Sequence, residues 1–136
     1  DDVESGDLVA GGWTKKNKRV KVNTKAAYQG TYGVRLRRKL WLEKDLDTTG
    51  YKDITVNFAR RTKNYDASEY LKVRFHDGTG WTDIELTTDT AWGAMSFVLP
   101  SNAEDNVSFR LRFKSVGNQA KERGDIDDVQ IIGTPK

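Results

Sequence analysis

The stretch Val107-Ser108-Phe109-Arg110-Leu111-Arg112-Phe113-Lys114 alternates apolar and polar residues without a break. Successive side chains of a strand point to opposite faces, so Val107, Phe109, Leu111 and Phe113 are expected on a core face and Ser108, Arg110, Arg112 and Lys114 in water. The pattern returns in Leu71-Lys72-Val73-Arg74-Phe75-His76, followed by Asp77-Gly78-Thr79-Gly80, a turn whose glycines permit positive φ. Trp81-Thr82-Asp83-Ile84-Glu85-Leu86 then completes a hairpin. Further strands are expected at Val20–Val22, Gly33–Arg38, Leu40–Leu46, Ile54–Arg60, Ala94–Leu99 and Asp127–Ile132, about eight to ten in all. Half-apolar strands joined by short turns bury their apolar faces when two sheets pack together. The expected fold is therefore all-β: a two-sheet antiparallel β-sandwich of jelly-roll type.

A chain of 136 residues suits one core rather than two, so residues 1–132 are read as a single module and residues 133–136 as the start of a linker or tail. Cysteine is absent, which excludes a disulfide framework, a thiol nucleophile and a thiolate metal site. The net charge of +3 is too small to announce a protein held on nucleic acid by many phosphate contacts. No apolar run approaches the roughly 20 residues of a membrane span, so no membrane partner is expected. No basic segment followed by an apolar stretch opens the chain. Starting at Asp1, it reads as a mature fragment or a module with covalently linked neighbouring domains.

The outward positions of the best strands carry Arg35 and Arg37, Lys72 and Arg74, and Arg110, Arg112 and Lys114. If these strands share a sheet, the side chains form a cationic face suited to the carboxylates or sulfates of an acidic polysaccharide, because a guanidinium donates two parallel hydrogen bonds to such groups. The alternative is an ordinary solvated face with cross-strand ion pairs, for which Glu43, Asp45, Asp83 and Glu85 are the strand carboxylates at hand. Single-stranded nucleic acid would want aromatic platforms between the basic groups, and the outward positions of these strands show none. Among the aromatics, Trp41 shares a strand face with Glu43 and Asp45 and is the best sugar-stacking platform, unless it packs under a neighbouring loop. Tyr65 and Tyr70, in the polar loop from Thr62 to Tyr70, come next. Trp13, Trp81 and Trp92 are read as structural. The lone histidine, His76, sits before a turn, and no nucleophile elbow, phosphate loop or zinc motif occurs, so the chain is not read as an enzyme.

Several landmarks carry a family likeness: Asp2-Val3-Glu4-Ser5-Gly6 leading to Gly12-Trp13, Gly30-Thr31-Tyr32-Gly33-Val34-Arg35-Leu36, Leu46-Asp47-Thr48-Thr49-Gly50-Tyr51-Lys52-Asp53-Ile54, Asp77-Gly78-Thr79-Gly80-Trp81, and Asp125-Ile126-Asp127-Asp128-Val129-Gln130-Ile131. In this order the chain resembles the jelly-roll carbohydrate-binding modules of extracellular bacterial hydrolases and, more distantly, the MAM-type adhesion domain. The resemblance implies a non-catalytic, secreted or cell-surface module for polysaccharide, stabilised by Ca2+. It places that calcium on Glu4 and on Asp127 or Asp128, with Asp2, Asp45 and Asp47 as further oxygen donors. Asp127 and Asp128 should point to opposite faces, so only one can be a side-chain ligand. Solvated or ion-paired carboxylates are the plain alternative. A structural or protein-interaction module of an extracellular protease or surface protein would show the same landmarks.

Overall fold

The computed structural model describes residues 33–136, together with Ala26, Tyr28 and the segments Thr14–Lys15 and Lys21–Asn23. The strands are β1 (Thr14–Lys15), β2 (Lys21–Asn23), β3 (Gly33–Arg37), β4 (Trp41–Leu46), β5 (Tyr51–Lys63), β6 (Tyr70–His76), β7 (Trp81–Thr87), β8 (Gly93–Val98), β9 (Phe109–Val116) and β10 (Arg123–Pro135). They form two antiparallel five-stranded sheets, ordered β1-β4-β9-β6-β7 and β2-β3-β10-β5-β8. This is the expected sandwich. Among the described residues no helix is long and apolar enough to cross a membrane.

Strict alternation along β6 and β9 puts Leu71, Val73, Phe75, Phe109, Leu111 and Phe113 into the space between the sheets. The second sheet answers with Val34, Leu36, Ile54, Val56, Phe58 and Ile126. Phe113 of β9 meets Phe58 of β5 edge-on at 5.3 Å, so inner strands of the two sheets interlock through aromatic rings across the core. Such packing fixes the backbone of β9 and β6, which in turn fixes what their opposite faces present to solvent.

Three local departures from the alternating pattern have physical causes. Val107 is 72% exposed because β9 begins only at Phe109, after the Asn106 side chain has taken the Ser108 N–H and bent the chain away. In β7 the register slips between Val73 and Arg74, so that Glu85 lies opposite Val73 and Leu86 opposite Lys72. Leu86 is thereby exposed, while Glu85 turns between the sheets to bind Arg60 of β5 through hydrogen bonds of 2.9 and 2.7 Å. In β10 the register shifts between Asp127 and Gln130 with Asp128 at φ 58°, a bulge that returns Val129 to the core. Finally, β10 runs on through Pro135, pairing Thr134 with Lys52 and Pro135 with Tyr51, where a tail was expected from residue 133.

Candidate functional site

The solvent face of the first sheet can be laid out from strand register alone. Trp41, Lys114, Lys72 and Leu86 form one row across β4, β9, β6 and β7. Glu43, Arg112, Arg74 and Asp83 form the next, and Asp45, Arg110, His76 and Trp81 the third. Tyr70, two residues before Lys72, shares this face, with the Lys72 Nζ 5.8 Å from its ring. Lys72, Arg74, Arg110, Arg112 and Lys114 therefore share this side of the sheet with Glu43, Asp45 and Asp83. The cations are in excess.

Arg112 sits at the middle of this grid. Its guanidinium carbon lies 4.5 Å from the Trp41 ring and 4.4 Å from the Trp81 ring, held between two indoles. The Arg112 Nε donates to Glu43 Oε1 at 2.8 Å, and Nη2 of the same guanidinium lies 2.8 Å from that oxygen. Glu43 is only 6% exposed, so this contact is a largely dehydrated ion pair that orients the guanidinium. Arg74 and Arg110 also approach the Trp81 ring, at 5.2 and 5.4 Å, and His76 meets it edge-on at 4.9 Å. A face of this kind holds oxyanions by guanidinium and the flat faces of sugar rings by indole.

The third row opens into a cleft of about 450 Å³ lined by Asp45, His76, Gly78, Val107, Ser108, Phe109 and Arg110. One wall is the β6–β7 turn, where Gly78 at φ 98° allows the tight reversal. Asp77 stiffens that wall: its Oδ1 accepts from Thr79 N–H, Thr79 Oγ1 and Gly80 N–H, and its Oδ2 from Asn102 Nδ2. These donors, the Asn102 amide foremost, hold the Asp77 carboxyl well below the usual carboxylate range. A depressed native value contributes stability that is complete above the ordinary pKa of about 3.9 and fades as pH falls toward the native one. Asp77→Asn is thus expected to melt below the wild type at neutral pH, with the gap closing as the wild-type carboxyl protonates. Melting curves recorded down to about pH 2 check this; a gap that stays constant with pH would count against it.

Not every expected contact residue reaches this face. Trp41, Tyr70, Arg74, Arg110 and Arg112 do. Tyr65 turns inward instead, bonding Ser115 Oγ at 2.6 Å and packing on the core, and burial pushes its phenol pKa up. Arg35 and Arg37 belong to β3 in the opposite sheet. There Arg35 is buried against Asp125, with hydrogen bonds of 2.8 and 3.0 Å, and Arg37 donates to the Ala120 carbonyl. The single cationic face expected from all three strand groups is therefore split between two surfaces.

Trp81, read from the sequence as structural, lies on this same outward face beside Arg112. Its signal lay in hairpin register, since pairing across the Asp77–Gly80 turn places it opposite the outward-facing His76. The assembled sheet thus brings Trp41, Tyr70 and Trp81 from three strands among the basic groups, and Tyr70 shares the outward side of β6 with Lys72 and Arg74. Trp92 lies tilted against Tyr28 at 5.3 Å, with the Arg61 guanidinium 4.8 Å from its ring, away from this face. Trp13, Asp2 and Glu4 lie outside the described residues. Of the remaining expected calcium ligands, Asp47 is exposed and accepts from Thr49 N–H, beside the Ile131–Gly133 end of β10. Asp127 is buried, accepting from Tyr28 N–H and Asp128 N–H. Asp128 occupies the bulge.

No protein-family model matches the chain, and no curated protein matches it by sequence. Solved structures do match it in fold. The CBM22-1 xylan-binding domain of Paenibacillus barcinonensis Xyn10C superposes with a TM-score of 0.67 at 21% identity, over 99% of this chain and 92% of that one. A family 16 carbohydrate-binding module gives 0.70 at 13% identity, over 93% and 99%. The K2 cleaved adhesin domain of Lys-gingipain gives 0.68 at 15% identity, over 97% of each chain. The chain thus has the jelly-roll sandwich fold of the carbohydrate-binding modules, a fold that it shares with the adhesin domain of Lys-gingipain.

Proposed function

We propose that the chain is a non-catalytic polysaccharide-binding module of a secreted or cell-surface protein, and that it binds through the solvent face of the β1-β4-β9-β6-β7 sheet. The observation that carries this reading is the Arg112 guanidinium held between Trp41 and Trp81. Around it, Lys72, Arg74, Arg110 and Lys114 outnumber the carboxylates, which favours a chain bearing uronate or sulfate groups over a neutral one. Two of the structural neighbours are described as xylan-binding and as bound to β-1,4-galactotriose, which supports sugar as the ligand class.

Structural calcium is part of the same proposal. A cation at the last strand would be held by Asp127, whose buried carboxylate suits a hard ion, and not by Asp128, displaced on the bulge. Asp47 is too exposed and too engaged with its own turn to argue for the same shell.

Affinity electrophoresis through gels containing neutral xylan, polygalacturonate or a sulfated galactan tests the ligand. Retardation by the two acidic gels that weakens as salt is added is the expected result. The adhesin neighbour motivates one further reading, a protein-interaction module whose cationic face takes an acidic peptide. Absence of retardation in every polysaccharide gel, with capture of an aspartate-rich peptide, would establish that reading instead. Binding of a single-stranded oligonucleotide more tightly than of any polysaccharide would overturn both.

A further inference from the structure

We infer that Asp66, Glu69 and Glu122 form a binding site for a hard divalent cation of the calcium type, which clamps the β5–β6 loop to the β9–β10 loop. One carboxylate oxygen from each of the three residues lies within 4.8 Å of the others. Glu122 is wholly buried at 0% exposure, and its Oε2 has no hydrogen-bond partner. Its Oε1 is already used, accepting from Asn118 N–H at 2.6 Å and Gln119 N–H at 2.8 Å. A charged oxygen shut away from water without a donor is costly, and it is the atom to which a cation would bind.

The neighbouring carboxylates repeat this division of labour. Glu69 is also buried and spends Oε1 on the Asp66 N–H at 2.7 Å, while its own N–H donates to the Asp66 carbonyl. Asp66 is exposed and leaves the cluster open to solvent. Among the described residues no arginine or lysine forms an ion pair with any of the three. Lys121 acts on Asp66 only as a minor influence. Contact with Glu122 raises the Asp66 carboxyl; for Glu69 the Asp66 N–H lowers the value, and burial followed by contact with Glu122 outweighs it. Three carboxyls in one space need a cation or a shared proton between them. A hard ion satisfies the buried Oε2 and removes the repulsion together, with water completing its shell on the Asp66 side. Calcium accepts the irregular geometry of three carboxylates from two loops better than magnesium, which demands a near-ideal octahedron. The absence of nitrogen and sulfur donors disfavours the softer metals.

The consequence reaches the binding face, because Glu69 directly precedes Tyr70 and so ties down the start of β6. The site is independent of the calcium proposed at Asp127, and the test separates them. Chelator-stripped protein is titrated with Ca2+ by calorimetry and melted with and without the ion, for the wild type and for Asp66→Asn, Glu69→Gln, Glu122→Gln and Asp127→Asn. Calcium should raise the wild-type melting temperature. Asp66→Asn, at an exposed position that leaves folding intact, should weaken one binding step by about tenfold or more. Asp127→Asn should leave that step in place. Titrations of Asp66→Asn and Glu69→Gln that match the wild type would overturn the site. So would a wild type indifferent to calcium at neutral pH whose Asp66→Asn variant melts higher, since the cluster would then be held by a shared proton.

Discussion

Replacing Arg112 by alanine is expected to abolish retardation by acidic polysaccharide and to lower stability in the same step. The guanidinium is the contact that joins β4 to β7 across the face, lying against Trp41 of the first and Trp81 of the second. It also neutralises Glu43, whose other cation among the described residues is Arg110 at 3.7 Å. Removing one member of a buried pair costs about 3–5 kcal/mol. Because Arg112 itself is 21% exposed, the loss should fall at or below the lower end, about 2–3 kcal/mol. Such a variant loses binding and folding together, so Arg112→Lys is the discriminating change. Lysine keeps the charge near Glu43 but loses the planar fork that stacks between indoles and grips a carboxylate with two bonds. Arg112→Lys should stay folded and bind uronate gels about tenfold more weakly or worse, a difference of about 1.4 kcal/mol. A folded Arg112→Lys that migrates like the wild type in every gel would remove Arg112 from the binding machinery.

How far the sequence alone reaches depends on whether a feature is local. Alternation along Leu71–His76 and Phe109–Lys114 is a local signal, and it returned the strands, their core faces and the outward row of Arg74, Arg110 and Arg112 correctly. The hairpin around Asp77–Gly80 was legible for the same reason. Features that depend on which strands become neighbours were not. Arg35 and Arg37 alternate as cleanly as Arg110 and Arg112, yet β3 pairs with β10 and not with β9, and nothing in a strand's own pattern states its sheet. The β7 bulge illustrates another loss, since a single extra residue sends Glu85 inward and Leu86 outward while the sequence still reads as unbroken alternation. Tyr65 was drawn toward the surface by its polar neighbours, but Ser115 provides a buried hydroxyl partner that only tertiary structure brings near.

The opposite sheet carries the other large effect, expected for Asp125→Asn. Asp125 is 2% exposed and occupies the central strand of a row with Arg35 of β3 on one side and Arg61 of β5 on the other. Its Oδ1 accepts from Arg35 Nε at 2.8 Å, and its Oδ2 accepts from Arg35 Nη2 at 3.0 Å and Arg61 Nε at 2.9 Å. One carboxylate therefore holds a buried guanidinium and a half-buried one. Arg123 on the same strand adds to the positive charge: burial lowers its pKa first, then repulsion from Arg35, and its Nε is buried without a partner. Asparagine has nearly the same shape as aspartate, so Asp125→Asn removes charge and one acceptor while leaving packing in place. Arg35 would then stay buried beside like charges with no carboxylate among its described partners. The expected loss is about 3–5 kcal/mol, because an uncompensated buried charge is more damaging than the absent pair. For a chain of this size that corresponds to a fall of roughly 10–17 °C in melting temperature. Pairing the change with Arg35→Met should recover much of the loss, since an apolar replacement removes the stranded charge as well. Calorimetric melts of the single and double variants measure both effects. An Asp125→Asn protein that melts within a degree or two of the wild type would show that water reaches Arg35, and that this sheet is not held together by its ion triad.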